Sequence, residues 1–366
     1  MTGRIVLFGA TGYTGELTAR ALVAAGAKPV LAARSRERIE ALAGDLGVDS
    51  AVADVGRPES VRDLVEAGDV LVSTVGPFIR MGDVAVRAAI AAGAHYLDST
   101  GETPFVRQVF ERYGPEAATA GCGLVTAFGY DTVPGNLAGA LALRDAGPAA
   151  RRVDVVYFLS GSFGLSDMSG GSRASAAAAM TAPSFAFTGG RLVSDRFAGR
   201  LRRFTLDGKP RPAISFGASE HFALPRLHPE LTDVGAWLGF FGPLSRPLQV
   251  MSAVTGAALR IPGSERFAQA TLGRVTGPTG GPDAAARARN GSRILAIASD
   301  ERGSPLAEVR LEGVNGYDFT AAVLAWGAQI AAAHGLLGAG ALGPVDAFGL
   351  DTLAAGVAEA GIARLS

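Results

Sequence analysis

The sequence predicts an α/β fold, a Rossmann doubly wound parallel sheet joined to a second α+β domain. Three observations predict it. Short apolar runs alternate with stretches of helical periodicity through residue 138, and a G-x-x-G-x-x-G turn follows the first run. The third is length: 366 residues make two domains the default. With 48% hydrophobic residues and 19% charged, the chain carries enough apolar material for a sizeable core and does not belong to the disordered class.

The elements follow in order. "RIVLF" is a buried strand by its length and its glycine stop, and "GELTARALVAAG" sets Leu17, Ala21, Leu22 and Ala25 on one helical face before Gly26 ends it. "KPVLAAR" and "RERIEALAGDLG" repeat the pattern, as do "SAVAD" and "PESVRDLVEAG", where Pro58 suits a helix start. "DVLVSTVG" is the fourth strand, "MGDVAVRAAIAAG" a helix and "AHYLDST" the fifth strand. "PFVRQVFERYGPEAATAG" is helical at least to Pro115, and "CGLVTAFG" is the sixth strand. Turns this short fit right-handed crossovers, and such sheets bind ligands at the carboxyl ends of their strands. The expected boundaries are a Rossmann domain over 1–138, an α+β domain over 139–315, and a helical segment over 316–366 that packs back on the first.

Composition excludes several function classes. Arg plus Lys and Asp plus Glu stand at 34 each, which offers nothing to a nucleic-acid partner. The sole cysteine, Cys122, excludes an internal disulfide and any thiolate-rich metal site, so no metal is expected. The first strand begins within a few residues and no apolar run reaches about 18 to 20 residues, so a cytoplasmic protein is expected.

The opening turn carries the first functional reading. Gly9 lets the strand turn sharply, Gly12 admits a pyrophosphate to the backbone, and Gly15 lets the helix pack on the sheet, with Thr11, Tyr13 and Thr14 between them. The free N–H groups of the following helix then face the anion. The second strand ends in Arg34 and Ser35, with Arg36 and Arg38 close by, where an NAD enzyme usually places an acid. Guanidinium grips a 2′-phosphate that a carboxylate would repel, so the expected cofactor is NADP(H). Arg36 is the member of this set expected to face only solvent. Asp54, ending the third strand, meets either the adenine edge or a helix start that it caps.

What the chain lacks narrows the chemistry. None of the six tyrosines has a lysine four positions on, which excludes the Tyr-x-x-x-Lys reductases, and one cysteine cannot supply a zinc alcohol dehydrogenase. The two lysines, Lys28 and Lys209, fall in turns away from the cofactor face. Hydroxyls, imidazole, carboxylates or arginines must therefore do the work.

Later stretches carry a family resemblance. "STVGPF" (73–78), "HYLDSTGE" (95–102) and "FGYDTVPGNL" (128–137) follow strands four, five and six, and "MSGGSRASAAAAM" (168–180) and "EGVNGYDFTAAVLA" come later. Together with the opening turn they resemble the saccharopine dehydrogenase-like NADP-binding family, and within it the trans-acting enoyl reductase group. The resemblance implies a Rossmann domain, an inserted α+β domain and an NADP-dependent oxidoreductase acting on C=C bonds. Val75, Gly76, Pro77 and Phe78 are expected beside the nicotinamide ribose, with Phe78 either covering that pocket or simply core. Asp98, Ser99, Thr100 and Glu102 end strand five, with Asp98 as a loop-organising acceptor of backbone N–H groups. Tyr130 is the candidate proton donor, with Asp131 beside it as a candidate for the substrate, while Thr132 or Asn136 caps the next helix. Ser169, Ser172 and Arg173 are candidates for the substrate, Ser169 and Ser172 as donors to its carbonyl, or else Ser172 is a helix cap. His95 reads as structural.

The second domain is expected to be a mixed sheet, with strands in "RRVDVVYFLSG", "PAISFGASEHFALPRL" and "SRILAIASD". The apolar segment 234–259 is a candidate acyl-chain groove, peripheral membrane contact, carrier-protein contact, buried helix or homodimer interface. "TGPTGGPDAAARARNGS" has the composition of a mobile loop. The leading functional expectation is an NADPH-dependent reductase of an enoyl bond in a polyketide, lipid or isoprenoid-type intermediate, either free or carrier-bound. Imine reduction of the saccharopine type, and a non-catalytic NADP(H) sensor or scaffold, are the alternatives.

Overall fold

The computed structural model describes residues 3–161, 164, 167–179, 181–258 and 280–365. The chain divides into two compact units, Met1–Val133 with Val314–Ile362, and Pro134–Gly313 with Ala363–Ser366.

In the first unit, strands β1 (Ile5–Phe8), β2 (Val30–Ala33), β3 (Ser50–Val52), β4 (Val70–Ser73), β5 (His95–Asp98) and β6 (Gly123–Val125) alternate with helices. These are α1 (Tyr13–Ala24), α2 (Arg36–Leu46), α3 (Pro58–Arg62), α4 (Phe78–Ala92), α5 (Thr103–Gln108) and α6 (Gly114–Ala120). With the late β15 (Gly340–Ala341) the strands form one parallel seven-stranded sheet in the order β15-β6-β5-β4-β1-β2-β3. The order reverses at β1, so β1 and β4 flank the switch point. Strands β1 and β4 are buried along their whole length, as a sheet covered on both faces requires.

Three helices depart from expectation. The third stops at Arg62, after five residues. The helix after β4 starts at Phe78, so Phe78 is its first residue rather than part of the preceding loop. The run after β5 passes straight through Pro115, because a π-helical turn at Val109–Tyr113 separates α5 from α6 and puts Pro115 in the first turn of α6.

The first unit closes with α12 (Gly316–His334), α13 (Pro344–Phe348) and α14 (Leu350–Glu359). Asn315 starts α12, its Oδ1 accepting from the N–H groups of Tyr317 and Asp318. Trp326 of this helix stacks with Phe128 and Phe348 at 6.5 and 5.0 Å between ring centroids.

The second unit opens with α7 (Val133–Ala146), whose first residue closes the first unit, and is built on a mixed nine-stranded sheet. Its strands are β7 (Arg152–Gly161), β8 (Pro183–Thr188), β9 (Arg191–Arg196), β10 (Leu201–Leu206), β11 (Lys209–Ser215), β12 (Asp233–Leu238), β13 (Asn290–Ser299), β14 (Pro305–Gly313) and β16 (Ile362–Arg364). The main path runs β10-β11-β12-β7-β13-β14-β16, with β12 parallel to β7 and the hairpins antiparallel. Helices α8 (Gly170–Ala179), α9 (Glu220–Leu227), α10 (Ser245–Ala258) and α11 (Ala284–Ala288) complete it.

Two sequence readings are corrected in this unit. "PAISFGASEHFALPRL" is a strand only to Ser215 and is helical from Glu220, where Glu220 through Leu224 are buried on every side of the first turns. The segment read as a mobile loop holds the short helix α11, capped by Asp283 Oδ1 on the Ala286 N–H at 2.8 Å, while its residues 276–279 lie outside the described residues. Of the apolar stretch 234–259, residues 234–238 are core strand and 245–258 are α10; residue 259 lies outside the described residues. Among the described residues no helix is long and apolar enough to cross a membrane.

Candidate functional site

The glycine turn is tightly built. Gly9 has φ +93°, a conformation open to glycine, and its N–H donates to Ala32 O at 2.8 Å. A Cβ on Gly15 would sit 2.2 Å from Gly9 O and 2.8 Å from Thr74 Oγ1, so α1 reaches the sheet only because Gly15 has no side chain. Gly12 starts α1 with extended backbone and no side-chain cap. The helix therefore presents its first-turn N–H groups, and the positive end of its dipole, to whatever lies over the turn. Within α1 the backbone carbonyl of Thr14 accepts from Thr18 Oγ1 at 2.9 Å. Tyr13 sets its ring edge-on to Tyr317 at 5.1 Å.

At the end of β2 the cationic set divides by role. Arg34 is exposed and has no carboxylate partner among the described residues. Arg36 pairs with Glu40 at 3.1 Å on the outer face of α2, as expected of the solvent-facing member. Arg38 reaches back over the turn, its Nη2 donating to Thr11 O at 2.7 Å. Ser35 is the N-cap of α2, its Oγ accepting from the Arg38 N–H. Asp54 does not cap a helix. Its Oδ1 accepts from the Gly56 N–H at 2.9 Å and holds the turn after β3.

The loop after β4 runs through Val75 and Gly76 to Pro77, joined by a cis Gly76–Pro77 bond. Phe78 is buried against Phe105, 5.6 Å between centroids, so it belongs to the core. Glu102 closes this loop from the neighbouring strand end. Its two carboxylate oxygens accept from the Phe78 and Ile79 N–H groups at 2.8 and 3.0 Å, and so it caps α4.

Asp98 organises the β5 end. Oδ1 accepts from the N–H groups of Thr100 and Ala127, and Oδ2 from Thr126 Oγ1, all within 2.9 Å. Complete burial nonetheless pushes its carboxyl up to about 6 against those donors. His95 starts β5 and accepts from the Gly123 N–H through Nδ1.

Tyr130 is held by the late helix. Its N–H donates to Thr320 Oγ1 at 3.0 Å, and its ring lies against Gly316, where a Cβ would come within 2.8 Å. Asp131 is exposed beside Gly101, where a Cβ would come within 2.8 Å of its Oδ2. Thr132 donates to Ala127 O at 2.6 Å and closes the same turn.

In the second unit, Ser169 rather than Ser172 caps α8, its Oγ accepting from the Ser172 N–H at 3.1 Å and lying 3.0 Å from Ser172 Oγ. Arg173 donates to Met168 O at 2.6 Å. Met180, which ends the quoted motif, lies outside the described residues. A buried polar cluster escaped sequence reasoning. Tyr157 Oη donates to Glu220 Oε1 at 2.5 Å, and a Cβ on Gly135 would fall 1.9 Å from that hydroxyl. Asn136 donates to Ser219 Oγ at 2.9 Å, so the Pro-Gly-Asn of the sixth-strand motif serves this cluster.

The cradle suits a dinucleotide phosphate: an uncapped helix start, glycines that a side chain would displace, and one uncommitted guanidinium at the β2 end. Comparison with known proteins agrees. Residues 5–125 match the model of the saccharopine dehydrogenase NADP binding domain. The first unit carries that domain. NADP(H) is accordingly the cofactor of this domain's family, in agreement with the reading of the β2 end. The chain is similar to relatives named trans-acting enoyl reductase, from Mycobacterium ulcerans (34% identical, 66% of this chain and 59% of that protein) and from Mycobacterium tuberculosis (34%, 65% and 57%). The chain thus spans less than two thirds of those relatives' length. The fold is that of apo saccharopine dehydrogenase (L-Glu forming) from Saccharomyces cerevisiae, with a TM-score of 0.60, 14% identity and full coverage of both chains. Among the described residues no group of His, Cys, Asp and Glu is placed to hold a metal.

Proposed function

We propose that the chain is an NADPH-dependent reductase of an enoyl C=C bond in a polyketide, lipid or isoprenoid-type intermediate held on a carrier. The observation that carries this reading is the anion cradle with its uncommitted Arg34, in a chain whose relatives bear the enoyl reductase name. The bound cofactor supplies the hydride that the β-carbon of the acceptor takes up. The chain's own residues then have separate tasks. Gly9, Gly12 and Gly15 admit the pyrophosphate to the α1 N-terminus, and Arg34, backed by Ser35 and Arg38, holds the 2′-phosphate. Val75, Gly76 and Pro77, fixed by the Glu102 cap on α4, shape the nicotinamide side. Tyr130 gives the α-carbon its proton and is positioned by Thr320 and Gly316; Asp131 is the neighbouring acid. Ser172 and Arg173, in the first turn of α8, are assigned to the acyl carbonyl.

The test follows NADPH oxidation with a crotonyl thioester. Wild type is expected to turn over, and Tyr130→Phe to lose about 100-fold or more in kcat with NADPH affinity unchanged. Full activity in Tyr130→Phe removes it as donor, and no turnover with any enoyl thioester overturns the reductase reading.

A further inference from the structure

The chain is neutral overall, but residues 191–211 carry seven basic side chains against two acidic ones, a net charge of +5. This stretch is β9, β10 and the start of β11. The β10–β11 hairpin is the edge of the second unit's sheet, turning at Asp207 and Gly208, both with positive φ. Lys209 and Arg211, on the hairpin face that carries Arg202 and Phe204, and Arg203, on the opposite face, are exposed and have no carboxylate partner among the described residues.

Next to the hairpin lies an open groove of about 440 Å³, lined by Arg152, Arg200, Arg202, Asp154, Asp233 and Trp237. Its arginines are held in place. Arg202 pairs with Asp154 at 2.5 Å and lies over the Phe204 ring, and Asp154 also accepts from Trp237 Nε1 at 2.8 Å. Arg200 lies over Trp237, 5.6 Å from the ring centroid, and Arg152 faces Asp233 at 4.0 Å. Cations and prolines on an edge strand often serve only to prevent strand addition, and Lys209, Pro210 and Pro212 fit that account. It does not reach Arg152 on β7, three strands in from the edge, or Arg200 stacked on Trp237. Beside the hairpin, α10 packs on the turn into β10 through Ser252 and Arg196. It leaves Val250, Met251 and Val254 exposed, with Leu244 just before it.

We infer that the β10–β11 hairpin and this groove form the docking face for an acidic surface of a partner protein. On the reductase reading, on which the partner's identity rests, that partner is the carrier holding the acyl chain. Fixed, partly neutralised guanidinium groups beside an apolar stripe match carboxylates set on a folded surface, and steer its approach. A polyphosphate track would need a longer row of unpaired cations than Lys209 and Arg211 supply on this face. A second copy of the chain would bring +5 against +5.

The probe is an acyl carrier protein loaded with a crotonyl group, set against crotonyl-pantetheine. Charge reversal at the two exposed positions on the groove side of the hairpin (Lys209→Glu, Arg211→Glu) is expected to weaken carrier binding and raise its KM by at least about tenfold. Wild-type binding should fall steeply with salt, and kcat/KM for crotonyl-pantetheine should stay as it was. The milder Gln pair, with unchanged NADPH binding and melting, separates docking from misfolding and should shift the carrier KM in the same direction. No carrier binding by wild type, equal losses on both substrates, or loss of a dimer on charge reversal overturns the docking face. If neither substrate is reduced while carrier binding still depends on the hairpin, the reductase reading fails and the docking face stands.

Discussion

The two units place their buried polar groups differently. In the NADP-binding domain they sit at strand ends: Asp98 gathers three donors after β5, and Glu102 caps α4 across the loop after β4. In the second unit they lie within the core, where Tyr157 on β7 meets Glu220 on α9 against the backbone of Gly135. Parallel strands joined by short crossovers bring all their loops to one edge, so polar organisation collects there. A mixed sheet has no such edge, and its polar pairs serve packing. Damage to the first kind should therefore reach ligand binding, and damage to the second should reach stability alone.

The largest expected effect breaks the first unit. Gly15→Ala puts a Cβ 2.2 Å from Gly9 O, and NADPH affinity should fall by about 100-fold or more in a fluorescence titration, since the turn must open. Gly44→Ala in α2, where a Cβ meets nothing within 4 Å, should leave affinity unchanged and stabilise by up to about 1 kcal/mol. Next is Asp98→Ala, which leaves buried donors from Thr100, Thr126 and Ala127 without an acceptor. A loss of about 3–5 kcal/mol in denaturant unfolding is expected. Tyr157→Phe in the second unit should cost less, about 1.5–3 kcal/mol, and leave NADPH binding untouched. A change in NADPH affinity in that variant would contradict the separation of the two units' roles.

The two units should also answer pH with opposite signs. Asp98 has its carboxyl raised from 3.8 to about 6, so the folded state favours the protonated form. Its contribution is present below pH 3.8 and is lost as pH rises through about 6. His221 is fully buried and held down from 6.5 to about 4, so its contribution is present above pH 6.5 and is lost as pH falls toward 4. Each amounts to at most about 3 kcal/mol. Melting curves of Asp98→Asn against wild type should favour the variant increasingly as pH rises from 3.8 to 6. Those of His221→Gln should favour the variant as pH falls from 6.5 to 4. A flat difference for either removes that group as a linked site.

How much was legible follows the same division. In the first unit each strand, its turn and the next helix are neighbours in sequence, so apolar runs and terminal glycines located six strands, and Gly9 and Gly15 announced the turn and the close packing they serve. What stayed hidden there depends on distant residues: Thr320 and Gly316 seating Tyr130, and Glu102 capping α4. The Asn315-Gly316 pair before a long apolar helix was the available signal. In the second unit β7 pairs with β12 and β13, from 81 to 147 residues on, and no local pattern encodes such pairings. The strand at β7 was legible from alternation, but the β8–β9 and β10–β11 hairpins and the Tyr157–Glu220 pair were not.

The most direct test of the central claim is a parallel titration of wild type and Arg34→Ala with NADPH and with NADH. Arg34 is exposed and uncommitted at the β2 end, so its removal should leave folding intact. Wild type should prefer NADPH, and the variant should lose about 10- to 100-fold for NADPH with NADH unchanged, as expected when one charge-assisted phosphate clamp is deleted. Equal affinities in wild type, or an NADPH affinity that the substitution does not move, would contradict the assignment of Arg34 to the 2′-phosphate.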